Sequence, residues 1–276
     1  ILTSEWGEYD TQTNDAVFNY QVTLTNPNFV LTSDTLCYNT RTQVATIVGP
    51  SNIDSDQNHI YSTLGRYSTA TEQAFLLNRS VLTNGDKRLT GDSIYYDRNG
   101  GYGEAFDHVE MDDFGGKTRL TGDYTYYHEL ADSAYATHRA VAIDYSQGDS
   151  MFIHGDTLRL ITRYPDTDSV FRIVQAFRKV RIYREDVQAV CDSLVFNSQD
   201  SCMTMYYDPI AWSGPQQILG EVIRVYLNDS TVEWAHVENQ ALIVEQVDHE
   251  QFNQISGREV KTYFVDGNID RSDVSG

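Results

Sequence analysis

One octapeptide recurs along the whole chain, and its spacing dictates what the chain can fold into. Residues 89–96 read Leu-Thr-Gly-Asp-Ser-Ile-Tyr-Tyr and residues 120–127 read Leu-Thr-Gly-Asp-Tyr-Thr-Tyr-Tyr. Related copies occupy 31–38 (Leu-Thr-Ser-Asp-Thr-Leu-Cys-Tyr) and 153–160 (Ile-His-Gly-Asp-Thr-Leu-Arg-Leu). Looser copies occupy 189–196 and 218–225; copies with a displaced glycine start at Leu2 and Ile60, and a last one starts at Ile255. Aligned on the small third residue, the anchors are Ser4, Ser33, Ser62, Gly91, Gly122, Gly155, Cys191, Gly220 and Gly257. Successive anchors lie 29, 29, 29, 31, 33, 36, 29 and 37 residues apart. A period of this kind marks stacked copies of one supersecondary unit.

Each copy has a second half. After a polar turn comes an alternating apolar stretch: 16–24, 44–53, 74–82, 105–111, 134–145, 170–183, 203–212 and 232–244. Asn39–Arg41, Asp97–Gly101, Pro165–Asp168 and Asn197–Ser201 carry turn residues between the halves. The unit is therefore strand, turn, strand, turn, and about nine such units fill the chain. Tyr (19) and Phe (11) add strand preference, and no stretch shows a capped 3.6-residue stripe.

The first strand of each unit carries a phase irregularity. Leu89 and Gly91 lie two apart on one face, as do Ile94 and Tyr96, but Gly91 to Ile94 is an odd step. The same step separates Ser33 from Leu36, Gly155 from Leu158 and Cys191 from Leu194. To keep both apolar pairs inside, the strand must slip phase at the anchor and the following Asp, through a bulge or sharp bend that glycine tolerates. Repeated at one level of every unit, that bend folds the sheet into an open-sided apolar trough. Parallel β-helices have shorter coils. The full calcium-binding nonapeptide is absent, propeller blades need four strands per repeat, and Asp and Arg scattered along the strands argue against an outer-membrane barrel.

Charge narrows the function. The formal net charge is −20, which argues against nucleic acid and against an anionic membrane surface. No run of about 18 apolar residues is present, so no helix spans a bilayer. Both ends cut the repeat and residue 1 is not Met, so residues 1–276 are expected to be a single repeat domain excerpted from a longer chain, whose cut edges invite strand pairing. The three cysteines match no metal or redox spacing. Cys191 and Cys202 are either a bridge or, with Cys37, three small strand residues.

Phosphate-loop, dinucleotide, nucleophile-elbow and His-Glu-x-x-His signatures are absent. The seven histidines suggest no metal site, and no cofactor is expected. Asp34, Asp92, Asp123, Asp156 and Asp192 each follow an anchor. They read as bend residues that accept bonds from nearby backbone N–H groups or as an aspartate ladder for calcium. Their periodicity favours the structural role, because catalysis needs one unique constellation. Arg159, Arg163, Arg172, Arg178, Lys179, Arg181 and Arg184 form a basic cluster. It is open to two readings: contact with anionic sugars or phosphates, with Arg178, Lys179, Arg181 and Arg184 as candidates, or cross-strand pairing with acidic neighbours. Tyrosines could stack on sugars, but their place in the repeat favours packing.

These motifs (Leu2–Tyr9 with Trp6-Gly7, the 33–38 segment, Leu89–Asp97, Cys191–Leu194) together resemble the OstA/LptA-like family of lipopolysaccharide transport, particularly the long OstA-like proteins of Bacteroidota. The resemblance covers nearly the whole chain. It implies an all-β, elongated antiparallel β-jellyroll, or β-taco, without catalysis. Its interior would hold acyl chains of lipopolysaccharide or lipid A, in the periplasm of a Gram-negative cell envelope. Partners would be other Lpt-type jellyroll proteins, or further copies of the chain, joined end to end by strand pairing. The inward apolar positions that carry over are Leu31, Leu36, Tyr38, Leu89, Ile94, Tyr96, Leu120, Tyr127, Ile153, Leu158, Leu194 and Phe196. The strong negative charge fits acyl-chain burial better than head-group contact. The competing expectation is a structural or adhesive β-repeat array with a packed interior, binding protein or glycan on its outer surface; a polysaccharide hydrolase would need a cleft with two unmatched carboxylates.

Overall fold

The computed structural model describes residues 1–27, 29–55, 58–128, 130–146, 149–164, 169–228, 231–265 and 268–276. Among these no helix occurs. The strands are β1 (Leu2–Thr3), β2 (Trp6–Asp10), β3 (Asp15–Asn26), β4 (Phe29–Asn39), β5 (Val44–Asp54), β6 (Asn58–Ser68), β7 (Gln73–Asn84), β8 (Lys87–Asp97), β9 (Tyr102–Asp113), β10 (Thr118–His128), β11 (Ser133–Asp144), β12 (Met151–Arg163), β13 (Phe171–Tyr183), β14 (Val187–Asn197), β15 (Cys202–Tyr206), β16 (Ile210–Ser213), β17 (Gln216–Leu219), β18 (Val222–Asn228), β19 (Thr231–Gln246), β20 (Phe252–Val265) and β21 (Asn268–Ser275). The breaks β1/β2, β15/β16 and β17/β18 interrupt single strands at the bend level, so the elements resolve into nine hairpin units in phase with the sequence anchors.

The chain divides into two compact units, Ile1–Leu130 and Ala131–Gly276. In the first, β1 and β2 both pair with β3, and each strand then pairs antiparallel with the next through β10. In the second, β11 to β14 pair in order. β14 continues onto β15 and β16, these onto β18 and β17, and both of those onto β19, β20 and β21. Turns are closed by short polar side chains, as their composition suggests. Asn39 Oδ1 accepts from the Arg41 and Thr42 amides at 3.1 and 2.8 Å, and Asp97 Oδ1 from Gly100 N at 2.7 Å. The Pro165–Asp168 turn lies outside the described residues.

The bend is present at the expected level, but the residues that make it stand on the other strand of each unit. On β5 the kink falls at Gly49, with φ of 87°, opposite Asp34; the kinks made by non-glycine pairs are Tyr20–Gln21, Asn78–Arg79 and Asp107–His108 in unit 1 and His138–Arg139, Arg178–Lys179, Tyr207–Asp208 and Asn239–Gln240 in unit 2. All residues of these pairs have φ between 49° and 66°. Most of these pairs oppose a single residue: Asp34 against Tyr20–Gln21, Asp92 against Asn78–Arg79, Asp123 against Asp107–His108, Asp156 against His138–Arg139 and Asp192 against Arg178–Lys179. Two residues against one is a β-bulge, and it supplies the phase slip. Left-handed backbone costs an L-residue about 1–2 kcal/mol, so packing on both sides must hold these kinks. Asn78→Val is therefore expected to destabilise by about 1–2 kcal/mol, a β-branched residue being worst suited to φ of 62°, while Asn78→Gly stays near neutral; urea denaturation measures both.

Anchor glycines do not supply the left-handed turn; they supply room. None has positive φ. A Cβ on Gly220 would run into the Val237 side chain, and one on Gly155 would stand 3.3 Å from the Phe177 carbonyl. Where the anchor is serine its buried hydroxyl is satisfied locally: Ser33 Oγ donates to Thr35 O at 2.8 Å and Ser62 Oγ to Leu64 O at 2.9 Å. Among the recurring aspartates, Asp92 differs from expectation. It bonds side chains of the kinks rather than backbone amides, with His108 Nδ1 at 2.8 Å and Arg79 Nη1 at 3.3 Å.

The bend folds each unit's inner face on itself. In unit 1, Val22 and Leu31 from one arm pack with Leu36 and Ile47 from the other in one cluster. Leu76, Ile94 and Ala105 pack likewise with Val109, against Ile60, Leu89 and Met111.

Candidate functional site

Strand registers align the inward side chains into rows that run across the strands; the anchors form a largely buried row on one side of the bend (Val22–Ser33–Ser51, Ser80–Gly91 and Val109–Gly122 in unit 1, Val180–Cys191 and Ala241–Gly257 in unit 2), and three other kinds of row line each interior. Nearest the bend, unit 1 carries Leu36–Ile47–Gly65–Leu76–Ile94–Ala105–Thr125. Unit 2 carries Ala136–Leu158–Ala176–Leu194–Met205–Ile223–Val237–Val260. This inner row is closed to solvent: Leu36 is 1 % exposed, Ile94 3 %, Leu158 3 % and Leu194 0 %.

Further from the bend the two arms differ in chemistry. One arm of unit 1 presents Tyr9–Ala16–Tyr38–Ala45–Tyr67–Ala74–Tyr96–Gly103–Tyr127, each tyrosine paired across to a small residue. Alternating ring and small side chain leaves each ring space over its neighbour, while the phenol reaches the rim. Tyr9 Oη lies 3.4 Å from Thr40 Oγ1, and Tyr38 Oη 3.4 Å from Thr69 Oγ1 one repeat on. The other arm presents only aliphatic or thioether groups: Leu2–Leu24–Leu31–Ile53–Ile60–Leu82–Leu89–Met111–Leu120. The corresponding rows of unit 2 are Ala134–Leu160–Val174–Phe196–Met203–Val225–Ala235–Thr262 and Ala142–Ile153–Ile182–Ala189–Ala211–Ile218–Ile243–Ile255.

The twelve sequence candidates divide evenly among these rows. Leu36, Ile94, Leu158 and Leu194 are in the inner row. Tyr38, Tyr96, Tyr127 and Phe196 are on the aromatic arm, and Leu31, Leu89, Leu120 and Ile153 on the aliphatic arm. On the outer rows Tyr38, Leu89, Tyr96, Leu120, Ile153 and Phe196 are half-buried, Tyr127 is exposed, and Leu31 alone is buried. Sequence reasoning missed the small partners, Ala45, Ala74, Gly103, Ala136 and Ala176, which set the spacing of the large ones. Their signal was present as an alanine recurring near the start of each second strand.

Outside the rows, Arg159, Arg163, Arg172, Arg178, Lys179 and Arg181 make no ion pair among the described residues; only Arg184 does, with Asp186. The cross-strand pairing expected of this cluster is thus absent there, while unit 1 shows it clearly. Asp112, its side chain wholly buried, lies between Arg88 (Nη2–Oδ2, 2.8 Å) and Arg119 (Nε–Oδ1, 2.6 Å). Burial pushes the Asp112 carboxyl up, but the bonds from the two guanidiniums outweigh it and hold the group below its ordinary 3.8. Cys37, Cys191 and Cys202 are free thiols, and burial raises Cys191 to about 11. The described residues bring together no group of three or more His, Cys, Asp or Glu able to hold a metal ion.

Fold and rows define the class: an antiparallel β-repeat protein whose sheet is folded about a line of bulges, with an apolar interior graded from closed to open. Residues 1–34 and 24–92 match the family model described as OstA-like protein. That stretch, 92 of the 276 residues, contains the first three repeats and the start of the fourth, and the same repeat continues beyond it. Among solved structures it is similar to LptH, the LptA-homologous periplasmic component of the lipopolysaccharide transport device of Pseudomonas aeruginosa. Identity is 20 % and the TM-score 0.33, over 35 % of this chain and 74 % of that one. No curated protein matches the chain.

Proposed function

We propose that this chain is a non-enzymatic lipid-binding module of lipopolysaccharide transport in the periplasm of a Gram-negative cell envelope. Acyl chains of lipopolysaccharide or lipid A would lie between the aromatic and aliphatic arms. The observation that carries this reading is the pair of outer rows, half-buried through most of unit 1 and part of unit 2, where Ile182, Ala189, Ile218 and Ile243 close much of the aliphatic row. They offer continuous apolar surface to a chain-like ligand along the direction in which repeats stack, with phenol groups at the rim where a ligand turns polar. The OstA-like match over residues 1–92 agrees with it. The closed inner row restricts the ligand to the outer rows. Residues 1–276 are read as one repeat domain, associating with Lpt-type jellyroll proteins or with itself by end-to-end strand pairing. Native mass spectrometry after purification with lipid A is expected to retain bound lipid; recovery of lipid-free protein throughout would count against the proposal.

The second reading, a structural or adhesive array, is favoured by one observation: the inner row is already filled by its own side chains. It expects no lipid retention and no effect of outer-row substitutions on any lipid.

A further inference from the structure

Arg178, an unpaired member of the basic cluster, borders a concavity on the outer face of unit 2, remote in chemistry from the apolar rows. Thr157, Phe177 and Ser193 are register neighbours on β12, β13 and β14, each one position from an inner-row residue and so on the opposite face. They form the floor of an open cleft of about 870 Å³, walled by Arg178, Asp192 and Tyr207. Arg178 and Tyr207 are kink residues, with φ of 61° and 66°; the bulges that fold the sheet also raise these two side chains around the floor. Asp192 is the single residue opposite the Arg178–Lys179 kink, and its Oδ2 accepts from Ser193 Oγ at 2.9 Å.

We propose that this cleft binds a sugar bearing a phosphate or carboxylate. Three properties of the cleft point to that class. Arg178, with Lys179 beside it, is exposed and carries no ion pair among the described residues, in a chain of net charge −20 where carboxylates outnumber cations two to one. Such a cation is free to take an anion, and arginine does so bidentately. Phe177 and Tyr207 offer ring faces to the apolar side of a pyranose. Asp192 and Thr157 accept or donate to ring hydroxyls, and the carboxylate disfavours a bare polyanion. The chain's overall charge of −20 would likewise disfavour a polyanion over a ligand with one or two charges. This site does not depend on the lipid trough.

Titration calorimetry of the whole chain tests it, with glucose 1-phosphate as probe and glucose and inorganic phosphate as controls. Glucose 1-phosphate is expected to bind at least about tenfold tighter than either control. Arg178→Asn with Lys179→Asn should weaken it at least about tenfold, because the charge-assisted bonds are lost. Asparagine tolerates left-handed backbone, so the variant should keep its thermal midpoint. Displacement of the sugar phosphate by lipid A micelles would assign the site to a glycolipid head group, and lack of displacement to a soluble glycan; both support it. Equal affinity for inorganic phosphate, no binding of glucose 1-phosphate, or an unchanged affinity in the folded double variant overturns it.

Discussion

Leu194→Asp is expected to cost more than about 4 kcal/mol and to unfold unit 2 under ordinary conditions, whereas Phe196→Asp, two residues along the same face, costs about 1–2 kcal/mol and leaves the protein folded. The reason is the gradient of burial within one strand. Leu194 is 0 % exposed between Ala176 and Met205, so a carboxylate there has neither water nor a partner. Phe196 is half-buried, and a charge in its place reaches the rim after losing part of one ring's burial. The same contrast is expected between Ile94→Asp and Tyr96→Asp in unit 1. Circular dichroism and urea titration read the stability; lipid co-purification reads the second effect. Phe196→Asp and Tyr96→Asp should deplete bound lipid while remaining folded. If Leu194→Asp folds normally, the inner row is not the packed hinge described above.

The second large effect concerns charge. Replacing both Arg88 and Arg119 by Met should destabilise unit 1 by about 3 kcal/mol at neutral pH. That is the low end for a broken buried pair, because each guanidinium side chain is more than a third exposed. What remains is Asp112 buried with no counter-charge. In the parent the carboxyl pKa lies below 3.8, so its stabilising contribution is complete above that pH and is lost as pH falls through the lower folded value. The gap in stability between parent and double variant should therefore be widest near neutrality and close below about pH 4. Thermal unfolding across that range measures it. A gap that stays constant into acid would place the stabilisation elsewhere, for example in the packing of Arg88 over the Phe114 ring.

Much of the architecture was legible because a period-2 pattern states which residues share a face. The odd step from Ser33 to Leu36, or from Gly155 to Leu158, cannot be satisfied by a straight strand, so a bend at that level follows from the residues alone. Which strand carries the kink does not follow. That depends on register: whether Asp92 faces one residue or two is known only once β7 and β8 are paired. Asn78 and Asn239 carry a weak signal, since asparagine adopts left-handed backbone more readily than most residues, but nothing in Arg178–Lys179 advertises it. The anchor glycines drew attention as bend-makers but serve to admit neighbours such as Val237.

The candidate site was legible to a similar depth. Leu36, Tyr38, Ile94 and Tyr96 could be assigned to an inner face by alternation, but a one-dimensional pattern does not distinguish a residue beside the hinge from one near the rim. Distance from the bend separates Leu194 from Phe196, and distance is a property of the folded arms. The basic cluster shows the opposite case. Its two readings differ in whether carboxylates pair with Arg178 and Arg181: Asp192 stands opposite the Arg178–Lys179 kink without forming an ion pair, and the residues across from Arg181 are His154 and Val190.

Site-directed photo-crosslinking to lipid A reports most directly on where an acyl chain lies. A photoreactive phenylalanine at position 96 or 196, on the inner face, should label the lipid; at the adjacent outward positions 95 or 195 it should not. Labelling from 95 and 195 with none from 96 and 196, or from no position at all, would show that the space between the arms is not where lipid goes.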